Sequence, residues 1–580
     1  MRGIFSTLAT VWRIASPYFR SQDRWPGRLL LAAVIAIELS IVGITVLLNA
    51  WNANFYNALQ DRNWDAFVYQ LGYFCVLATI YVVLAVYQLY LNQWLQIRWR
   101  RWLTASYLDH WMEGANHYRM QLLGDAADNP DQRISEDIAQ FIQLTLTIGL
   151  QLLNSCVTLF SFMIILWSLS AAAPLHVFGI SFDIPGYLLW AALIYACIGT
   201  ALTHLIGRPL IALNFQQQRY EADFRFNLVR VRENSEQIAL LDGERAERHR
   251  LLLRFGNVVA NWLAIMSRQK KLTFFTASYA QASVVFPFIM VSPAYFASAI
   301  QLGGLMQTAN AFGRVQEALS VFVSLYRNLA EWRAVIERLA GFDASVAAAR
   351  ALAVTPPVIA VTPGEGATVT FKDLMVRLPN GVALVNVSDV AIGRGDRVLV
   401  SGPSGAGKST LFRAIAGIWP FGAGTVMIPK NAKLMMLPQR PYFPIAPLAA
   451  AVAYPAEPGS FDSAKVAELI AAVGLPALAT RIEEEAHWNR MLSLGEQQRL
   501  GIARAILHAP DYLFLDEATA SLDEAAEAAL YQLLEQRLGL ATIVSIGHRS
   551  TLAAFHRRRL AFNRDGDHYA LREGSLTPTP

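Results

Sequence analysis

"RVLVSGPSGAGKSTLFRAIAG", Arg397–Gly417, reads as strand, glycine-rich loop and helix in immediate succession. The spacing G-x-x-x-x-G-K-S brings backbone N–H groups around a phosphate chain at a helix N-terminus. The loop Gly402, Pro403, Ser404, Gly405, Ala406 and Gly407 forms the cradle, and Lys408 adds a point charge for the β- and γ-phosphates. Ser409 offers a hydroxyl to Mg²⁺, and Thr410 can face the α-phosphate. Such a unit predicts an α/β nucleoside-triphosphatase in the C-terminal part of the chain.

Downstream, "YLFLDEATASLD" (Tyr512–Asp523) is an apolar strand ending in Asp516 and Glu517. Asp516 would reach the magnesium through its water shell, and Glu517 would polarise a water lined up with the γ-phosphate. Between the two motifs lies "LMMLPQRPYF", in which Gln439 follows a strand and could sense the γ-phosphate or the metal. His548 in "VSIGHR" ends another apolar run and could contact the γ-phosphate from the side. "MLSLGEQQRL" (Met491–Leu500) opens a helix with Ser493, Gly495 and Glu496, and its positive end favours an anion. The catalytic candidates are thus Glu517, His548 and Lys408, and the metal candidates are Ser409, Gln439 and Asp516.

The rest of the chain is of a different kind. Of 580 residues, 54% are apolar and 16% charged, against about 25% charged in ordinary soluble domains. Six segments approach the roughly 20 residues a membrane helix needs. They are Leu29–Trp51, Tyr69–Tyr90, Phe141–Leu169, Tyr187–Ile206, Leu272–Ala294 and Ala299–Val323. The sixth is the weakest, since it holds Arg314 and Glu317 and several glycines. Arginine gathers in the N-terminal stretch (Arg2, Arg13, Arg20, Arg24, Arg28) and in the second connection (Arg98, Arg100, Arg101, Arg119, Arg133), and the fourth connection is dense in Arg and Lys. The positive-inside rule therefore puts both termini and the ATPase part in the cytoplasm. The net charge of +5 follows from this topology and does not imply nucleic-acid binding. No cleavable signal peptide is expected. Cys75, Cys156 and Cys197 all fall in apolar helices without metal-ligand spacing.

The reading divides the chain into a cytoplasmic segment at 1–28 and a transmembrane domain at 29–335. An Ala/Pro/Gly-rich linker at 336–368 and an ATPase domain at 369–575 follow.

In order, the glycine loop, Gln439, Leu492–Glu496, Asp516, Ser521–Asp523 and His548 resemble the ATP-binding cassette family. That resemblance implies ATP and Mg²⁺ as cofactors, and a homodimer in which the Ser493 segment of one copy closes over ATP held by Lys408 of the other. The family stacks adenine on an aromatic side chain about 25 residues before the loop; here "MVRLPNG" places Arg377 and Leu378 there. "FYNALQDRNWDAF", "DNPDQRISEDI", "LGGLMQTANAFGRVQEALSVF", "LAEWRAVIERLAGF" and "LPQRPYFPIAPL" further resemble SbmA/BacA-related transporters fused to an ATPase, which are similar to the subfamily D half-transporters. "EADFRFNLVRVRENSEQIALLDGE" resembles the cytoplasmic coupling motif of the acyl-CoA carriers, without its usual glycine.

The expectation is an exporter-type fold of six helices in a bacterial inner membrane. Hydrophilic cargo such as antimicrobial peptides, bleomycin-like glycopeptides or cobalamin would be imported by alternating access. An exporter of lipid, acyl-CoA or drugs, and a proton-coupled carrier with a regulatory ATPase, stay open. Glu38 lies inside the first membrane segment as a possible cargo or proton contact, whereas Arg314 and Glu317 fit a neutralising i,i+3 pair.

Overall fold

The structure, a computed structural model, describes residues 2–124, 129–172, 175–177, 180–182, 184–388, 390–547 and 549–574. Contacts divide the chain into two units, Met1–Tyr107 with Asp131–Ala340, and Leu108–Pro130 with Gly341–Pro580.

The first unit is helical. Helix α1 (Arg2–Ala15) is followed by α2 (Arg24–Gln60) and α3 (Trp64–Met112), and the short α4 (Asn116–Leu122) turns in the second connection. Then come α5 (Ile138–Ala172), α6 (Tyr187–Glu233), the short α7 (Ser235–Leu240), α8 (Glu244–Phe296) and α9 (Leu302–Leu352). A small hairpin of β1 (Leu175–Val177) and β2 (Ile180–Phe182) lies between α5 and α6. Five described helices, those running through α2, α3, α5, α6 and α8, are long and apolar enough to cross a membrane. Val76, Val82, Val86 and Leu89 of α3 are each more than half exposed, as side chains facing lipid would be.

The sixth expected segment is a continuous helix within α9, but it is not among the five that length and apolarity alone mark as spanning. Its start is seated closely on α2. Two side chains of α2 satisfy its first N–H groups: Leu302 N–H donates to Gln60 Oε1 at 2.6 Å, and Gly303 N–H to Asn57 Oδ1 at 2.8 Å. Asn49 Nδ2 then donates to the Gln307 carbonyl at 3.2 Å. A Cβ on Gly303 would stand 1.9 Å from the Ala53 carbonyl oxygen, so this crossing needs glycine.

Helices α6 and α8 lie side by side and are joined by reciprocal bonds. Tyr195 Oη donates to the Tyr279 carbonyl and Tyr279 Oη to the Tyr195 carbonyl, each at 2.9 Å, with the two rings stacked at 4.6 Å. Further along the two helices, Asn261 Nδ2 donates to the Leu213 carbonyl and to Gln217 Oε1.

Much of the segment expected as a linker at 336–368 is regular structure. Its alanine-rich first part, "AGFDASVAAARAL", continues α9 to Leu352, because alanine and arginine favour helix more than a flexible tether. Residues Ala360–Gly364 then enter a sheet as β3. Only the proline-containing stretch between them interrupts regular structure.

The second unit is built on an eleven-stranded sheet. Its strands are β3, β4 (Thr368–Arg377), β5 (Ala383–Val387), β6 (Ala391–Gly393), β7 (Arg397–Ser401), β8 (Gly422–Pro429), β9 (Leu434–Leu437), β10 (Tyr512–Asp516), β11 (Thr542–Ile546), β12 (Arg558–Asp565) and β13 (His568–Gly574). They run β3-β8-β4-β5-β13-β12-β7-β11-β10-β9, with β6 beside β4. The strands β9, β10, β11 and β7 are parallel neighbours, and β7, β10 and β11 are buried along most of their length. Continuous apolar strands of this kind need cover on both faces. Phe412 of α10 (Lys408–Ile415) packs edge-on to Phe514 of β10 on one side. On the other side Leu500, Ile502 and Ala503 of α13 (Leu494–His508) join a core with Leu513, Leu515 and Ile543; α11 (Leu448–Ala453), α12 (Ser463–Ala472) and α14 (Glu524–Arg537) contribute to the same core.

This unit also takes in α4. Leu122 packs on the core around β7 and α10, and Arg119 donates to the Gly417 carbonyl at 3.3 Å and to the Gly114 carbonyl at 2.6 Å.

Candidate functional site

The glycine loop leaves β7 at Ser401 and enters α10 at Lys408. Gly407 has φ +93°, and a Cβ there would meet Leu384 at 2.7 Å and Val385 at 2.8 Å. Both strain and space therefore exclude a side chain at the turn into the helix. Lys408 is folded along the loop, its Nζ donating to the Gly402 and Pro403 carbonyls at 2.9 Å each. Burial holds its ammonium below the ordinary lysine pKa, and the nearby Glu517 and Asp516 carboxylates oppose that shift.

Parallel pairing of β7, β11 and β10 places the ends of these strands side by side. Asp516 thereby meets the helix that follows the loop, and Ser409 Oγ donates to Asp516 Oδ1 at 2.8 Å. Burial raises the Asp516 pKa, with the Ser409 bond working against it. A hydroxyl and a carboxylate oxygen in contact at a buried strand end are hard oxygen donors of the kind Mg²⁺ takes. Glu517, one residue on, sits at φ +51°, a left-handed conformation uncommon for a side-chain-bearing residue. Its N–H donates to the Ile546 carbonyl, and Gln439 Nε2 donates to its Oε2 at 3.2 Å. Gln439, Ser409, Asp516, Glu517 and Lys408 thus form one cluster around the loop of Gly402, Pro403, Ser404, Gly405 and Ala406, with Thr410 in the first turn of α10.

Ser493 is the N-cap of α13 in a capping box. Ser493 N–H and O–H donate to Glu496 Oε2 at 2.8 and 2.7 Å, and Glu496 N–H returns a bond to Ser493 Oγ at 3.4 Å. Glu496, expected to face nucleotide, is engaged in fixing the helix start. Gly495 follows with Leu522 and Ser521 beside it. His548 lies outside the described residues.

Three groups were not anticipated from the sequence. Gln498, 1% exposed, donates from Nε2 to the Gln439 carbonyl at 3.0 Å and to the Glu517 carbonyl at 3.5 Å, while Ser521 N–H donates to its Oε1 at 3.0 Å. Arg549 donates to the Leu522 and Ala520 carbonyls and lies 3.5 Å from Glu527, whose other oxygen accepts from Thr519 at 2.6 Å. Arg504 donates to the Tyr442, Ala451 and Val452 carbonyls, and burial pulls its pKa down to about 10. For Gln498 and Arg504 the available signal was "EQQRLGIARAIL", where glutamines and arginines interrupt a helix otherwise suited to burial.

The membrane-region unit holds a second polar cluster. Glu38 is 7% exposed, accepting from Asn154 Nδ2 at 2.6 Å and from Gln88 Nε2. Asn154 also lines a cavity of about 220 Å³ with Thr45, Tyr81, Thr158, Arg314 and Glu317. Arg314 and Glu317 form the expected i,i+3 pair at 3.1 Å.

A phosphate-binding loop, a strand-end aspartate and glutamate, and a capped signature helix on one sheet, fused to a bundle of apolar helices, define a membrane transporter energised by an ATP-binding cassette. Residues 14–296 match the family model "ABC transporter transmembrane region 2", and residues 385–520 match "ABC transporter". The chain is 37% identical to an uncharacterized ABC transporter ATP-binding protein of Haemophilus influenzae, over 96% of this chain and 92% of that one. It is 33% identical to the Escherichia coli inner membrane ABC transporter ATP-binding protein YddA (92% and 94%), and 24% identical to the human lysosomal cobalamin transporter ABCD4 (94% and 92%). Its fold matches that of a bacterial Atm1-family ABC exporter with ATP bound at TM-score 0.69, with 17% identity and 95% of each chain covered.

The chain belongs to the ABC transporters, in the group whose membrane region and ATPase are fused and whose relatives include subfamily D members. It is a multi-pass membrane protein that binds ATP and couples ATP hydrolysis to transport.

Proposed function

We propose that the chain works as a homodimer in a bacterial inner membrane, both termini cytoplasmic, and imports hydrophilic cargo by alternating access. The observation that carries the cargo class is the polar cavity lined by Tyr81, Asn154, Thr158, Arg314 and Glu317, adjoining the amide-bound Glu38. Charged and amide groups at membrane depth are costly unless they serve a partner or a wet passage. Cobalamin, bleomycin-like glycopeptides and antimicrobial peptides all carry the polar groups such a cavity would pair. The cobalamin transport named for the 24%-identical ABCD4 supports the first of these.

On the ATPase side, Lys408 and the loop N–H groups hold the β- and γ-phosphates. Ser409 and Asp516 would hold Mg²⁺, with Gln439 beside them, and the ion would supply charge neutralisation on the phosphate oxygens. Glu517, positioned through its backbone by Ile546 and Gln498, orients and polarises the attacking water, with His548 assigned to the γ-phosphate. Ser493 and Gly495 of one copy close the site of the other, and Glu496 fixes the helix that presents them. Closure then reaches the membrane helices through Gln439 and the cytoplasmic turns, among them α4 with Arg119.

Uptake into inverted and right-side-out vesicles, compared for cobalamin, bleomycin and a proline-rich peptide with Glu517→Gln as control, tests this reading. ATP-dependent accumulation on the cytoplasmic side supports import, whereas ATP-dependent efflux of lipid or acyl-CoA overturns it. Uptake that survives Lys408→Ala but collapses with the proton gradient makes the cassette regulatory. Cysteines at 404 and 493 should crosslink between copies.

A further inference from the structure

Two positions in the first turns of α13 serve different sites in the proposed homodimer. Its cap, Ser493–Gly495, faces ATP held by the partner copy. Five residues on, Gln498 turns back into its own chain. Its three hydrogen-bond partners come from three separate segments: the Gln439 carbonyl after β9, the Glu517 carbonyl after β10, and the Ser521 N–H ahead of α14. Two acceptors and one donor admit a single orientation of the carboxamide, with nitrogen towards Gln439 and Glu517 and oxygen towards Ser521. The group is 1% exposed, so no water competes for these bonds.

Ser493 and Gln498 are held on one rigid helix by the capping box and by buried Gln497, which donates to the Leu492 and Asn489 carbonyls at 2.8 and 3.1 Å. A displacement of the cap, when it engages or releases a phosphate, therefore moves Gln498 with it. The backbone of Glu517 and of Gln439, whose side chains already touch, moves in turn. We propose that Gln498 is a positioning residue that makes hydrolysis at one ATP site depend on occupancy of the other. It touches neither phosphate nor metal and acts through the placement of Glu517. The proposal rests on the homodimeric reading above.

The test uses the full-length protein in nanodiscs, with ATPase rate and fluorescent-ATP binding measured against nucleotide concentration for the native chain, Gln498→Met and Gln498→Glu. The methionine keeps the volume and removes all three bonds; the glutamate keeps the acceptor for Ser521 and loses both donors. We expect a Hill coefficient above 1 in the native protein and about 1 in Gln498→Met, with kcat lower by about tenfold and half-saturating ATP changed by less than about twofold. Gln498→Glu should fall in between. A merely structural role would lower the amount of active protein and leave the Hill coefficient alone. A native protein without cooperativity overturns the proposal, as does an unchanged Hill coefficient in either variant that melts close to the native temperature. Interchain crosslinking of 404 to 493 in the Gln498→Met background should persist; its absence in the native protein would sink the dimer reading instead.

Discussion

Gln439 donates through Nε2 to Glu517 Oε2 at 3.2 Å, so the segments that follow β9 and β10 are in direct contact in the cassette. The bond joins the segment assigned to sensing with the one assigned to hydrolysis. It also orients a carboxylate whose own backbone is held at φ +51°.

Glu517→Gln keeps this geometry and removes the base. ATP hydrolysis should drop by about 10²–10⁴-fold, the range of positioned general-base catalysis, with fluorescent-ATP affinity nearly unchanged. Phosphate release and equilibrium binding, measured on the same preparation, check both halves of that statement.

Lys408→Ala should act earlier. Its ammonium makes charge-assisted bonds, two of them to the Gly402 and Pro403 carbonyls in this structure, and its loss should weaken ATP binding by about 10- to 100-fold. Calorimetric titration with ATP would show this, and transport should fall in proportion.

Arg119→Ala separates motion from chemistry. It removes the bonds from α4 to the Gly417 and Gly114 carbonyls without touching the nucleotide cluster. Basal ATPase should stay within about twofold while cargo transport falls by about tenfold or more, as expected when a coupling contact is lost. Paired ATPase and uptake assays in one vesicle preparation distinguish the two.

Glu38→Gln retains the volume and removes the charge to which Asn154 and Gln88 donate. Uptake of a cationic peptide should decline by about tenfold, with neutral cargo less affected, because one charge-assisted contact in a dry site is worth about 1.5–3 kcal/mol. Kinetics with a charged and an uncharged cargo would read it out.

His556 gives a pH signature to the ATPase unit. Tyr531 donates to Ser545 Oγ at 3.0 Å, and His556 bonds Ser545 Oγ at 2.9 Å and the Leu552 carbonyl at 2.7 Å. Burial lowers its pKa below the ordinary histidine value. The unfolded chain therefore takes up this proton first as pH falls, so stability is lost below about pH 6.5. The melting temperature should fall between about pH 7 and pH 5.5 less steeply in His556→Gln than in the native protein.

The contact-making motifs were legible because phosphate and magnesium chemistry restricts both residue type and spacing. Gly402–Ser409, Asp516 and Glu517 could be assigned before any fold was known. Gln498 could not, since its partners Gln439, Glu517 and Ser521 are fixed by the crossing of α13 over three loops rather than by local sequence. Glu38 was visible as an oddity in an apolar helix, but its donors Gln88 and Asn154 come from two other helices. The helical start of the segment expected as an Ala/Pro/Gly-rich linker was not legible, because alanine serves a tether and a helix end alike, and only the continuation of α9 decides between them. Likewise, one of the glycines that made the sixth segment look weak, Gly303, is what lets α9 seat on α2.

The reciprocal phenols of Tyr195 and Tyr279 leave α6 and α8 little independence. Turning either rod about its own axis would strand two hydroxyls in hydrocarbon, at about 1–3 kcal/mol for each unpaired group. The pair must swing as a single strut, and whatever gate opens during a transport cycle has to open along some other seam of the bundle.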